Sequence, residues 1–149
     1  MKHLAPLILF AAIYLSPQLW AEPMRILSWN VESDQPNKQS NDPVGIAREL
    51  TDLQRKHGPF DLIGLCEVRA ENAARYAQAF SGGSTNYKSF LSNTGGHDRL
   101  LMIINTDRFR IRGGRPQELR SHDGVTFPRA KNRRPFYATL LDANNNNLE

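Results

Sequence analysis

From Met24 to Val31 the chain alternates, with Ile26, Ser28 and Asn30 falling on one side of an extended segment and Leu27, Trp29 and Val31 on the other. A period of two is that of a strand. The polar run 32–41, with Pro36 inside it, interrupts the pattern and reads as a loop. Asp42-Pro43 then sets a capping carboxylate before a proline suited to the first helical position, and Ile46, Ala47, Leu50, Leu53 and Gln54 recur at helical spacing until Gly58-Pro59. This predicts a helix of about four turns. Phe60 to Val68 is a second strand, nearly continuous in apolar character, as expected where both faces are covered. An Ala-rich helix follows over Glu71 to Phe80, stopped by Gly82-Gly83.

Beyond this point the segments are shorter. Tyr87 to Leu91 and Arg99 to Asn105 read as two strands joined through Asn93-Thr94-Gly95-Gly96, and Phe109 to Arg112 as a further short strand. Residues 115–133 form a polar, basic connection containing Pro116 and Pro128, and Pro135 to Asp142 is a last strand. No repeat is present, and the Asn run 144–147 reads as a turn or frayed end.

The first 21 residues stand apart from this alternation. Lys2 and His3 precede an apolar run from Leu4 to Leu15, broken by Pro6 and followed by small Ala21 before Glu22. This is the layout of an export signal. The run is shorter than the roughly 20 residues of a spanning helix, so no stable membrane anchor is expected. The expected division is a signal peptide over 1–21 and a domain over 22–149, working in the periplasm or outside the cell.

Composition narrows the class. Forty per cent apolar and 23% charged residues in 149 exclude a disordered or collagenous chain, and a single cysteine, Cys66, excludes a disulfide framework. The net charge of +4 is concentrated: residues 108–134 carry nine Lys and Arg against Glu118 and Asp123. Such a stretch is either a solvated basic loop or a surface for a polyanion held by counterion release.

Strand, helix and strand in succession imply a crossover that makes the two strands parallel, so Asn30 and Glu67 come to the same edge of one sheet. A carboxylate among Leu65, Cys66 and Val68 needs water, an arginine or a cation, and Mg²⁺ is commonly held by one or two carboxylates with phosphate and water. Residue chemistry alone leaves these alternatives open.

Met24-Arg25-Ile26-Leu27-Ser28-Trp29-Asn30-Val31, followed by Asp61-Leu62-Ile63-Gly64-Leu65-Cys66-Glu67-Val68-Arg69, resembles the first two motifs of the endonuclease/exonuclease/phosphatase superfamily. Asp98 to Ile111 resembles its next strand pair, and Arg133-Arg134-Pro135-Phe136 the basic-proline motif of the deoxyribonuclease-like branch. The resemblance implies an α/β fold, part of a four-layer α/β sandwich in which two mixed sheets pack face to face with helices outside. It implies Mg²⁺-dependent hydrolysis of phosphodiester bonds of nuclease type, on DNA or RNA, with Mn²⁺ as the alternative ion. Glu67 would be the metal carboxylate, Asn30 would set the metal and phosphate environment, and Arg134 and Arg69 would contact substrate phosphates. A histidine would assist proton transfer. Cys66 stands where the family commonly has glutamine, a change expected to concern packing.

The family's later histidine, its Asp-x-Asn motif and its terminal Asp-His pair have no counterpart in the chain. The chain therefore reads as the N-terminal part of such a domain, with the C-terminal half missing, inactive by itself. His57, His97 and His122 read as surface residues, and Asp98 as a hairpin residue first and a second site carboxylate next. With the partner sheet incomplete, Ile26, Ile63 and Leu65 are expected on an incompletely covered face. A lipid or sugar phosphoesterase of the same superfamily and a non-catalytic polyanion-binding fragment are the competing functions.

Overall fold

The capping signal at Asp42 acts as its chemistry dictates. Its carboxylate accepts the N–H groups of Val44 and Gly45, each at 3.0 Å, and Pro43 opens helix α1 (Pro43–His57). Arg55, Lys56 and His57 occupy the last turn, where the helix dipole favours positive charge. This computed structural model describes residues 23–32, 42–81, 86–96, 98–122, 125–126 and 133–143. The expected export segment, the Pro36 loop, the Gly82-Gly83 stop, His97 and the Asn run lie outside them.

Two further runs become β1 (Ile26–Asn30) and β2 (Leu62–Val68), and the Ala-rich segment becomes α2 (Ala70–Ser81). Strands β3 (Tyr87–Leu91) and β4 (Arg99–Asn105) have the limits expected from the sequence. Together they form a mixed sheet in the order β1-β2-β4-β3. β1 and β2 are parallel, joined by the α1 crossover, and β4 runs antiparallel to both β2 and β3.

Register decides what each face carries. Leu27, Trp29, Ile63, Leu65, Leu101 and Ile103 share the side on which Ile46 and Leu50 of α1 and Ala73, Tyr76 and Phe80 of α2 pack. Ile63 and Leu65 are 0% and 1% exposed, which corrects the expectation that they share a poorly covered face with Ile26. Ile26 pairs with Leu62, one residue out of phase, and is 58% exposed. A one-residue step reverses the face, and the two helices are enough to bury their own side. On the other side Leu62, Gly64, Cys66 and Met102 are half-buried, so β2 is fully covered on one face only.

Alternation fails at one place in β2. Leu65 pairs with Leu101 and Val68 with Arg99, so that Cys66 and Glu67 together oppose Leu100, which is a β-bulge. Strict alternation would carry Glu67 into the core beside Ile63 and Leu65. The bulge sends Val68 there instead, at 0% exposure, and turns Glu67 out of the helix-covered side.

The remaining strands pair two by two and antiparallel: β5 (Phe109–Ile111) with β10 (Leu140–Asp142), β6 (Gln117–Glu118) with β9 (Phe136–Tyr137), and β7 (Ser121–His122) with β8 (Val125–Thr126). The expected single strand from Pro135 to Asp142 is thus divided at Ala138-Thr139, and the expected connection over 115–133 contains β6, β7 and β8. The whole is an α/β arrangement, two helices on one face of a mixed sheet with smaller ladders after it, consistent with part of a sandwich.

Candidate functional site

Parallel strands bring their ends to one edge, and that edge carries Asn30 and Glu67. Asn30, the last residue of β1, lies opposite Cys66 of β2, and the Val31 N–H donates to the Cys66 carbonyl at 3.1 Å. The exposed Asn30 side chain accepts the Glu32 N–H at 3.1 Å, closing an Asx turn that directs the chain off the sheet. Its role at the sheet edge is therefore partly to end the strand.

Glu67 sits in the bulge with φ 58, and among the described non-glycine residues it shares a positive φ with Glu32 alone. A left-handed backbone costs an L-residue roughly 1–2 kcal/mol, because its Cβ crowds the following carbonyl. Such strain persists where surrounding structure fixes it, and it gathers at functional sites. Here the β2–β4 ladder on one side and buried Val68 on the other fix it.

Because β4 is antiparallel to β2, the residue entering β4 lies beside the residues leaving β2. That residue is Asp98. Its Oδ2 is 3.2 Å from Nη2 of Arg133, and the same nitrogen is 3.8 Å from Oε1 of Glu67. One guanidinium thus stands between two carboxylates that would otherwise repel each other. Glycine is required in the turn that supports this contact: at Gly95, φ 104, a Cβ would lie 2.2 Å from the Asp98 carbonyl oxygen and 2.9 Å from Cγ of Arg133.

Arg134 serves a different place. Its backbone N–H donates to Oγ1 of Thr94 at 3.1 Å, and the residue lines a cavity of about 1330 Å³ together with Arg115 and Arg120. Glu118 holds the wall: its Oε1 accepts the N–H of Asn93 at 2.5 Å, the N–H of Thr94 at 2.8 Å and the Thr94 hydroxyl at 3.2 Å. Arg69 follows β2 directly and lies 3.7 Å from the Glu71 carboxylate at the start of α2.

Asn30, Glu67 and Arg69 thus belong to the β1/β2 edge, whereas Arg134 belongs to the cavity wall. The cation that touches Glu67 is Arg133, a residue to which the sequence reasoning gave no role. Its signal lay in the Arg-Arg doublet, since neighbours in extended backbone point opposite ways. Asp98 was legible from topology, because the start of an antiparallel β4 must adjoin the end of β2. His57 closes α1 and is exposed, and the side chains of His97 and His122 lie outside the described residues.

The donor chemistry fits a hard divalent ion of the sparse kind. Among the described residues no group of three or more His, Cys, Asp or Glu side chains converges. Mg²⁺ needs no such cage, because it is usually held by one or two carboxylates with water and substrate phosphate completing its shell. Glu67 and Asp98, linked through Arg133, supply that number of carboxylates. Among the described residues no helix is long and apolar enough to cross a membrane.

Fold and site together define an α/β chain with a carboxylate–arginine edge at the end of its parallel strands. No protein-family model and no curated protein matches the chain. Among solved structures it is similar to the crystal structure of a humanized D. rerio TDP2 with 14 mutations, at 20% identity and a TM-score of 0.46. The match covers 64% of this chain and 35% of that one, so the chain spans about a third of that structure's length. Likeness at this level assigns neither a branch nor a chemistry.

Proposed function

We propose that the chain carries, at Glu67, the ion-binding edge of a Mg²⁺-dependent phosphodiesterase of nuclease type. The observation that carries this reading is the strained, outward-turned Glu67, set in a bulge next to Asn30 and joined through Arg133 to Asp98. Its sequence support is the resemblance of the two strand motifs and the Arg-Arg-Pro-Phe stretch.

In this reading Glu67, with Asp98 as the second carboxylate, would hold the ion, whose chemistry there would be to polarise a phosphoryl oxygen for in-line attack by water. Asn30 orients the phosphate at the strand edge. Arg133 keeps the two carboxylates together and meets the incoming anion, while Arg134 and Arg69 contact phosphates to either side. The histidine implied for proton transfer has no counterpart among the described residues. The chain alone is accordingly expected to bind ion and phosphodiester without appreciable turnover. Export through residues 1–21 belongs to the same reading, with a periplasmic or extracellular substrate.

Mn²⁺ is a direct probe of the ion site. Paramagnetic broadening of amide signals is expected to concentrate on residues 30–32, 66–69 and 98–100, and to disappear in Glu67→Gln. Broadening that is diffuse, or unchanged in Glu67→Gln, would overturn the metal assignment. Plasmid nicking by the chain that depends on Mg²⁺ and on Glu67 would show that its own residues suffice for turnover.

A further inference from the structure

The Arg134 cavity stands apart from the Glu67 edge, and its chemistry answers a question that the edge leaves open: which class of phosphodiester is bound. Among the described residues three arginines line it, Arg115, Arg120 and Arg134. Arg115 and Arg120 are exposed and form no ion pair with a described residue. Among the described residues one carboxylate lies in the lining, Glu118, and its Oε1 is committed to the amides of Asn93 and Thr94 and to the Thr94 hydroxyl. The carboxylate is thus used to hold the wall, which leaves the described lining with an excess of positive charge.

Two aromatic residues stand among the described lining. Phe90 comes from β3 and Phe136 from β9, and both are half-buried. Cationic groups alone would suit any polyanion. Cationic groups beside accessible aromatic rings suit a strand whose bases are unpaired, since a ring stacks on a free base face whatever its identity. A paired duplex hides those faces in its own stack. At about 1330 Å³ the space also exceeds the roughly 300–1,000 Å³ of ordinary small-molecule pockets, which argues for several units of a polymer over one phosphate headgroup.

We propose that this cavity is a binding groove for single-stranded nucleic acid, in which Arg115, Arg120 and Arg134 hold successive phosphates and Phe90 and Phe136 stack bases. Its placement as the approach to a scissile phosphate at Glu67 rests on the function proposed above. Strand binding itself does not. Arg133 and Arg134, adjacent in sequence, connect the two places: the first contacts Glu67 and Asp98, and the second lines the groove.

The test is fluorescence anisotropy of labelled dT12, rU12 and a 12-base-pair duplex on the 149-residue chain in EDTA, so that no ion-dependent step contributes. Either single strand is expected to bind at least tenfold more tightly than the duplex, and the ratio of dT12 to rU12 assigns the sugar. Arg115→Ser with Arg120→Ser should weaken single-strand binding tenfold or more and lower the slope of log K against log salt by about 1.4, two phosphates at about 0.7 each. Removing the same charge at Arg55 and Lys56, on the last turn of α1, should change binding less than twofold. Phe90→Leu should weaken it while leaving the salt slope unaltered, which separates stacking from charge. Equal or tighter duplex binding, or equal losses from the two double variants, would overturn the groove. Binding that follows the expected pattern in a chain without Mn²⁺ broadening at Glu67 would sustain the groove and reject the ion site.

Discussion

Two arginine–carboxylate contacts stand at opposite ends of β2, and they are built on opposite terms. At the entry, Asp61 is 2% exposed and its Oδ2 accepts both the Arg25 N–H at 2.8 Å and Nη1 of Arg108 at 2.6 Å. Ordinary backbone geometry surrounds it: the Asp61 N–H donates to the Arg25 carbonyl, and the Asp61 carbonyl accepts the Asn105 N–H. Arg108 also lies 5.4 Å from the centre of the Phe109 ring. At the exit, Glu67 is 22% exposed, holds a left-handed φ and meets Arg133 at 3.8 Å, a separation without a hydrogen bond. The entry carboxylate ties β1, β2 and the turn after β4 into one unit. The exit carboxylate is turned outward at the expense of backbone strain. Burial with short bonds describes a fastening, whereas strain with partial exposure is what the ion-binding role proposed for Glu67 would call for.

The largest expected effect breaks the fastening. Asp61→Ala removes the acceptor that the Arg25 N–H and Nη1 of Arg108 share, and because Asp61 is buried while Arg108 is 29% exposed the cost is expected at the lower end of the about 3–5 kcal/mol of a broken buried pair. Against a typical domain stability of about 5–15 kcal/mol, that should move a urea midpoint far toward zero. A midpoint within 0.3 M of the parent would mean that this end of the sheet does not depend on the pair.

The two faces of the sheet allow a second contrast. Leu65→Ala removes a side chain that is 1% exposed under the helices and should cost about 2–5 kcal/mol. Ile26→Ala, on a residue 58% exposed on the other face, should remain within about 0.5 kcal/mol. Equal losses in thermal melts would show that the second face is covered in solution.

How much of this was legible follows from where the information resides. The capped helix, the strand pair Tyr87–Leu91 and Arg99–Asn105, and the shared edge of Asn30 and Glu67 are local or nearly so. Periodicity, a cap and a crossover rule were enough for them. The two-residue ladders β6–β9 and β7–β8 carry no period of their own and arise from tertiary contacts, such as Glu118 reaching the Asn93 and Thr94 amides. The bulge was hidden in an apolar run. Its one trace was Glu67 standing in phase with Ile63 and Leu65, a position no carboxylate holds in a core without help. Arg133 was hidden by its neighbour, because a doublet in extended backbone offers two directions and only packing selects between them.

A further effect, smaller than the first, reverses its sign. Glu67→Gly removes a carboxylate from β2, as Asp61→Ala removes one beside it, yet it should raise stability. The left-handed φ of 58 costs an L-residue roughly 1–2 kcal/mol and costs glycine almost nothing. Glycine gives back part of that, about 0.5–1 kcal/mol, through the greater freedom of its unfolded chain. The net expectation is a gain of about 0.5–1 kcal/mol. Glu67→Gln keeps the side chain and the strain, so it should lose ion binding while its melt stays with that of the parent. The three-way comparison separates the two functions a carboxylate can have. A gain for glycine with no change for glutamine places the acid there for a ligand, at a cost in stability. A loss for both variants would make Glu67 a second fastening, and the contrast between the two ends of β2 would disappear.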